Sequence, residues 1–154
     1  MMKMLKVREH VYDYVKQIEP GLKYLWVRGW DLLAPLAHSA LESAWGQSLL
    51  ARKYNNYFGI KGRGVEMLTV EYENGKPVKR YAFFRRYDDV VECFADYDLI
   101  VKEDYPGAYA VRWNAESYFR IIAGRWATDP RYFEKLMNIY NYLYTIYLEQ
   151  DILK

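Results

Sequence analysis

Residues 36–62, LAHSALESAWGQSLLARKYNNYFGIKG, decide how the rest of the chain is read. They set one acid, Glu42, inside an apolar run at helical spacing (Ala37, Ala40, Leu41, Ala44, Trp45) that Gly46 breaks. A turn rich in amides and aromatics follows, Tyr54-Asn55-Asn56-Tyr57-Phe58-Gly59. A carboxyl among apolar neighbours has its charged form disfavoured, which raises its pKa and suits it to donating a proton. The stretch therefore predicts a general acid, carried on a helix at the mouth of a cleft.

Working outward toward the N-terminus, Val7, Val11, Tyr14, Val15 and Ile18 recur at helical spacing. They predict a first helix ending near Glu19, ahead of Pro20-Gly21. Residues 22–30 read as aromatic and irregular. They lead into the helix of Glu42, with Asp31 as a cap and Pro35 tolerable only in the first turn.

On the other side the period changes from helix to strand. Residues 65–72 tend to alternate apolar with polar, and residues 78–84 are rich in β-formers. Asn74-Gly75 between them is the strongest short-range hairpin signal. Helical spacing returns with Val90, Phe94, Tyr97 and Val101 behind Asp88 or Asp89 as N-cap, and Pro106-Gly107 marks a break. Asn114 then caps a short helix through Tyr118, Ile121 and Ile122 that Gly124 ends. Thr128-Asp129-Pro130 opens the last helix, lined by Phe133, Leu136, Met137, Tyr140, Leu143 and Tyr147.

Length and composition bound the answer. The 154 residues contain no repeat and no Pro/Gly/Ser linker, so the expectation is one domain over 1–154. Seventeen Tyr and five Trp supply rings with polar tips, which suit either a groove for sugars or an aromatic core. A net charge of +2 gives no reason to expect nucleic acid, and the basic residues around Lys61 and Arg85 read as a solvated face. One Cys excludes an internal disulfide. One Cys and two His are too few for a structural zinc site, so no metal or cofactor is expected. The opening MMKMLKVREHVYDYV lacks a signal-peptide core, and no stretch is apolar and long enough for membrane insertion. The chain is expected to be made in the cytoplasm without a signal peptide and to be a monomer.

Five motifs in order carry a resemblance. They are Ala40-Leu41-Glu42-Ser43-Ala44-Trp45-Gly46, then Asn55-Asn56-Tyr57-Phe58-Gly59-Ile60-Lys61-Gly62, then Thr69-Val70-Glu71-Tyr72. Phe84-Arg85-Arg86-Tyr87-Asp88 and Ala127-Thr128-Asp129-Pro130-Arg131-Tyr132 complete the set. In this order and spacing the chain resembles the glucosaminidase domain of bacterial peptidoglycan hydrolases, the flagellar rod-cap and autolysin type, over roughly residues 32–143. The resemblance implies an α+β, mainly helical, lysozyme-like fold with one β-hairpin flanking the active-site cleft. It implies hydrolysis of the β-1,4 bond following N-acetylglucosamine in peptidoglycan glycan strands. The same fold also serves muramidases and lytic transglycosylases, and an inactive glycan-binding or assembly module is a further alternative. Action on the cell wall, by a chain without a leader, would follow phage-type lysis or dedicated export.

In this resemblance Glu42 matches the general acid and Glu71 the second, assisting carboxylate. Glycosidic cleavage needs a proton for the leaving oxygen and stabilisation of an oxocarbenium-like centre, hence two acids. Glu66 lies an odd number of residues earlier, so an unbroken strand points it to the opposite face; it is the reserve second carboxylate. Asn56 and Tyr57 are expected to bind sugar by an amide bond and ring stacking. Trp126 stands where the family usually has Tyr, with Arg125 inserted; it can stack but brings no phenolic hydroxyl, so that function is lost, altered or moved to Tyr132. His38, one turn before Glu42, would lower the acid's pKa if protonated, so it is read as a core residue. Asp129 is read as a helix cap, and Cys93 as buried.

Overall fold

The computed structural model describes residues 2–150, with side-chain surroundings described for 9–147; Val7, expected on the first core stripe, lies outside the latter. The chain runs α1 (Met2–Trp26), α2 (Leu33–Ser43), α3 (Leu49–Tyr54), β1 (Lys61–Glu73), β2 (Lys76–Phe84), α4 (Val90–Asp104), α5 (Pro106–Ala110), α6 (Ala115–Trp126) and α7 (Tyr132–Gln150). It is α+β and mainly helical, with a two-stranded antiparallel sheet inserted after α3.

At the centre is α2. Residues 33–40 are all buried, and the small side chains among them, Ala34, Ala37, Ser39 and Ala40, let α1, α6 and α7 close around the helix. Pro35 falls in its first turn, and the Asp31 carboxylate accepts the Leu33 N–H at 3.0 Å. The helix stops at Ser43, earlier than the apolar run suggests. Ala44, Trp45 and Gly46 all take positive φ (50, 56 and 78°), and the Ser43 hydroxyl accepts the Gly46 N–H at 2.9 Å.

Helix α1 does not end at Glu19. It runs through Pro20 to Trp26, because the buried stripe Val11, Tyr14, Val15, Ile18 continues with Leu22 and Leu25. A mid-helix Pro costs about 3 kcal/mol. Burying two Leu side chains contributes roughly 3–6 kcal/mol, so packing decides. Gly21 is part of the reason: α4 packs on α1 there, and a Cβ on Gly21 would stand 2.5 Å from the Phe94 ring.

The hairpin forms as its turn chemistry requires. Asn74 and Gly75 carry φ of 53 and 76°, the two left-handed residues of a tight turn between Glu73 and Lys76. Its strands exceed the expected ones at the N-terminal end, where Lys61 begins β1 and the register shifts between Lys61 and Val65. The alternation holds: Glu66, Leu68 and Val70 face solvent, and Met67, Thr69 and Glu71 turn inward.

Asp89 caps α4 and Asn114 caps α6, each side chain accepting the N–H three residues on. The break at Pro106 opens a short helix, α5, with Pro in its first turn. Helix α6 passes Gly124 and ends at Trp126, whose ring packs against those of Tyr97, Tyr105 and His38. Helix α7 begins at Tyr132, two residues beyond Pro130, after a turn in which the Asp129 carboxylate accepts the Arg131 N–H at 2.9 Å. Among the described residues no helix is long and apolar enough to cross a membrane.

Candidate active site

Three elements meet at the C-terminal end of α2: the inner face of β1, the loop between α6 and α7, and the first turn of α7. They enclose a cleft of about 280 Å³ lined by Glu42, Gly59, Lys61, Glu71, Trp126 and Tyr132, among others. Two larger hollows carry less chemistry. One, of about 450 Å³ between α1 and α7, is aromatic, and its Asp31 is occupied by the Leu33 N–H and the Tyr140 hydroxyl. The other, of about 690 Å³, is framed by Arg28, Arg63, Arg85 and Arg86, with Asp96 paired to Arg85.

In the cleft the two carboxylates are driven apart. Burial pushes the Glu42 acid up to about 7; the Tyr132 hydroxyl and Lys61 pull the other way, and the Glu71 charge reinforces the rise. Glu71 is held below the usual carboxylate range, first by the bond from Lys61 and, against some burial, by that from Thr128. Near neutrality one acid keeps its proton and the other is ionised. This division of states is what acid-assisted glycoside cleavage requires of a carboxyl pair.

Each has a partner from a distant element, Tyr132 for Glu42 and Thr128 for Glu71. The Tyr132 hydroxyl, on α7, donates to Glu42 Oε1. The other oxygen, Oε2, faces Gly59, where a Cβ would stand only 2.9 Å away and where φ is +64°. Glu71 Oε1 accepts from Lys61 Nζ at 2.5 Å, and Oε2 from the Thr128 hydroxyl at 3.0 Å.

Other expected site residues are placed differently. Glu66 is exposed on the outer strand face, away from the cleft. Asn56 is buried; its amide donates to the Ile60 and Arg85 carbonyls (3.0 and 2.7 Å) and its oxygen accepts the Ile60 N–H. Tyr57 is buried too, its hydroxyl accepting from Gln17 at 2.9 Å and its ring beside Tyr14 and Phe94. Neither lines the cleft, so the sugar contacts expected of them are not available here. They hold the turn that delivers Gly59 under Glu42. Phe58 is core, stacked on Tyr97 with centroids 3.7 Å apart.

Trp126 does line the cleft, half-buried, with its indole N–H directed at the Phe58 carbonyl at 3.3 Å and its ring packed against His38, Tyr97 and Tyr105. His38 is wholly buried, with Nδ1 at 2.8 Å from the Tyr97 hydroxyl. Burial pushes its pKa down to about 3, so it stays neutral and does not oppose the protonation of Glu42. Asp129 is paired with Lys135 at 2.5 Å. Cys93 is buried, its thiol pushed up to about 12, far from thiolate reactivity. Among the described residues no group of three His, Cys, Asp or Glu could hold a metal ion.

Lys61 and Thr128 are the Glu71 partners in the cleft that sequence reading missed. Lys61 looked like one of several surface cations, and Thr128 like part of a helix start; only the folded hairpin shows both pointing at Glu71.

Residues 31–145 match the glucosaminidase family, described as mannosyl-glycoprotein endo-beta-N-acetylglucosaminidase. The chain belongs to the glucosaminidase family. A relative, the peptidoglycan hydrolase FlgJ of Escherichia coli strain K12, is 38% identical over 117 residues, covering 68% of this chain and 37% of that protein. The probable N-acetylmuramidase of Lactococcus lactis is likewise 38% identical over 117 residues, 68% of this chain and 27% of its own length. The chain thus spans well under half the length of these curated relatives. Among solved structures, a peptidoglycan hydrolase mutant from Sphingomonas sp. A1 superimposes with a TM-score of 0.76 at 30% identity, over 90% of this chain and 99% of that one. The lysozyme-like glucosaminidase architecture is therefore shared over nearly the whole chain.

Proposed function

We propose that this chain is an endo-β-N-acetylglucosaminidase of peptidoglycan, cutting the β-1,4 bond that follows N-acetylglucosamine. The observation that carries this reading is the pair of carboxyls facing one cleft, Glu42 buried and bonded by Tyr132 and Glu71 held by Lys61 and Thr128, in a chain that matches the glucosaminidase family. Glu42 is the general acid. Because Tyr132 donates to Oε1, the acid's own proton is left for Oε2, from which it passes to the departing glycosidic oxygen. As Glu42 becomes a carboxylate the Tyr132 bond becomes charge-assisted and strengthens, which favours the transition state over the ground state. Glu71 stabilises the positive charge that develops on the sugar, or directs the attacking water. Trp126 lines the cleft and is a ring that a pyranose would meet there. The action is on the cell wall, and the partner is the glycan strand.

A second reading, a muramidase or transglycosylase on the same fold, is favoured by the name of the Lactococcus lactis relative. Mass spectrometry of digested, borohydride-reduced peptidoglycan separates the two. Reduced N-acetylglucosamine ends support our reading, reduced muramic ends the muramidase, and anhydro-muramyl ends a transglycosylase. If wild type clears walls no faster than Glu42→Gln, the chain is a glycan-binding module instead.

A further inference from the structure

The hairpin is a cantilever. Its strands pair extensively with each other, and among the described residues no helix packs broadly against either of them. Besides the Lys135 ammonium over the Tyr72 ring, 5.9 Å from its centroid, what ties the inner edge of β1 to the helical body by hydrogen bonds is the Thr128 side chain. The Thr128 hydroxyl accepts the Tyr72 N–H at 2.8 Å and donates its single proton to Glu71 Oε2 at 3.0 Å. Both bonds are possible at once, since a hydroxyl is one donor and a two-fold acceptor.

The Tyr72 N–H is free to make this bond because of the register. Glu73 and Lys76 close the two-residue turn as a hydrogen-bonded pair, so by the alternation of an antiparallel ladder Tyr72, opposite Pro77, directs its N–H off the strand edge. Nor is the hydroxyl needed to start α7, because the Asp129 carboxylate already takes the Arg131 N–H. Thr128 therefore has no structural duty in its own loop that would explain where its hydroxyl points.

We infer that Thr128 is a positioning residue that latches the hairpin over the cleft and, through the same hydroxyl, fixes the Glu71 carboxylate in its working orientation. The inference rests on the reading of Glu71 as the assisting carboxylate. One oxygen of Glu71 is held from within the hairpin by Lys61, and the other from the helical body by Thr128, so the carboxylate cannot rotate while the latch is made. The latch also couples position to charge. Its bond favours the ionised form of Glu71, within a cleft where Glu42, Lys61, Tyr72, Asp129, Tyr132 and Lys135 supply the other titratable groups.

Thr128→Val keeps the shape and removes the hydroxyl, whereas Thr128→Ser keeps the hydroxyl. Amide hydrogen exchange at Tyr72, followed by NMR in the full chain, reads the latch without reference to catalysis. In Thr128→Val it should quicken about tenfold, the equivalent of one hydrogen bond, and in Thr128→Ser it should stay near wild type. On purified peptidoglycan, Thr128→Val should lower kcat by roughly tenfold with KM little changed, and move the acid limb of the pH profile upward as Glu71 loses a bond that lowers its pKa. Unchanged Tyr72 exchange in Thr128→Val, or a Ser variant as impaired as the Val variant, overturns the latch. Faster exchange with an unmoved acid limb and unchanged kcat keeps the latch and overturns the positioning of Glu71. A wild type inert on peptidoglycan defeats the proposed activity alone, since the exchange result still stands or falls on its own.

Discussion

Tyr132, in the first turn of α7, donates a hydrogen bond to Glu42, in the last turn of α2, across 90 positions of sequence. The bond stabilises the carboxylate, so it lowers the pKa of Glu42 against the larger effect of burial, which raises it to about 7. Tyr132 thus limits how weak an acid Glu42 becomes and waits for the charge that proton donation creates.

Tyr132→Phe should therefore move the alkaline limb of the kcat profile upward, above about pH 7, while lowering kcat by roughly ten- to a hundredfold, the range for losing a hydrogen bond to a charged group. Measuring kcat from pH 4 to 10 on purified walls checks both. A fixed limb would mean that Tyr132 does not tune the acid, and a raised KM with unchanged kcat would assign it to substrate binding instead.

Glu42→Gln should abolish the fast reaction, by 10²- to 10⁴-fold if general acid catalysis is its role. It also makes a stability prediction. The folded pKa, about 7, lies above the ordinary value of 4.5, so wild type enjoys the full contribution of the neutral acid below pH 4.5 and loses it as pH rises through 7. The cost of ionising the buried group approaches about 3 kcal/mol well above pH 7. Denaturation midpoints should show Glu42→Gln gaining on wild type between pH 5 and pH 9; parallel curves would mean that Glu42 is solvated.

Glu71→Gln removes a negative neighbour that raises the Glu42 pKa and leaves Lys61 uncompensated beside it. Both changes act in one direction: the alkaline limb should fall below that of wild type, opposite to Tyr132→Phe. The acid limb, set by Glu71 ionisation, should disappear. A pH series on the residual activity tests the pair of shifts together.

Gly21→Ala tests the packing that carries α1 past Pro20. In an exposed helix the substitution would stabilise by up to about 1 kcal/mol. Here the new Cβ meets the Phe94 ring at 2.5 Å, so overpacking should destabilise the chain by roughly 1–3 kcal/mol in urea unfolding.

Much of this protein was legible in its sequence because the signals are short-range. The acid-bearing helix, the Asn74-Gly75 turn, the caps at Asp89 and Asn114, and the separation of Glu66 from Glu71 by strand alternation all depend on neighbours a few residues away. Five motifs in order made the family recognisable as well. What only the tertiary structure decided are matters of packing and of partners that arrive from afar. Helix α1 ignores Pro20 and α6 ignores Gly124 because buried stripes and ring contacts outweigh local breakers. Asn56 and Tyr57, polar residues in a turn, were expected to face a ligand, yet their amide and hydroxyl are consumed inside the fold. The acid itself shows the division most clearly. Sequence placed Glu42 among apolar neighbours, but the rise of its pKa to about 7, its bond from Tyr132 and its ionised counterpart held by Lys61 and Thr128 come from four separate segments brought to one cleft. A carboxyl's proton affinity follows from desolvation and nearby charge in three dimensions, which spacing along a chain does not specify.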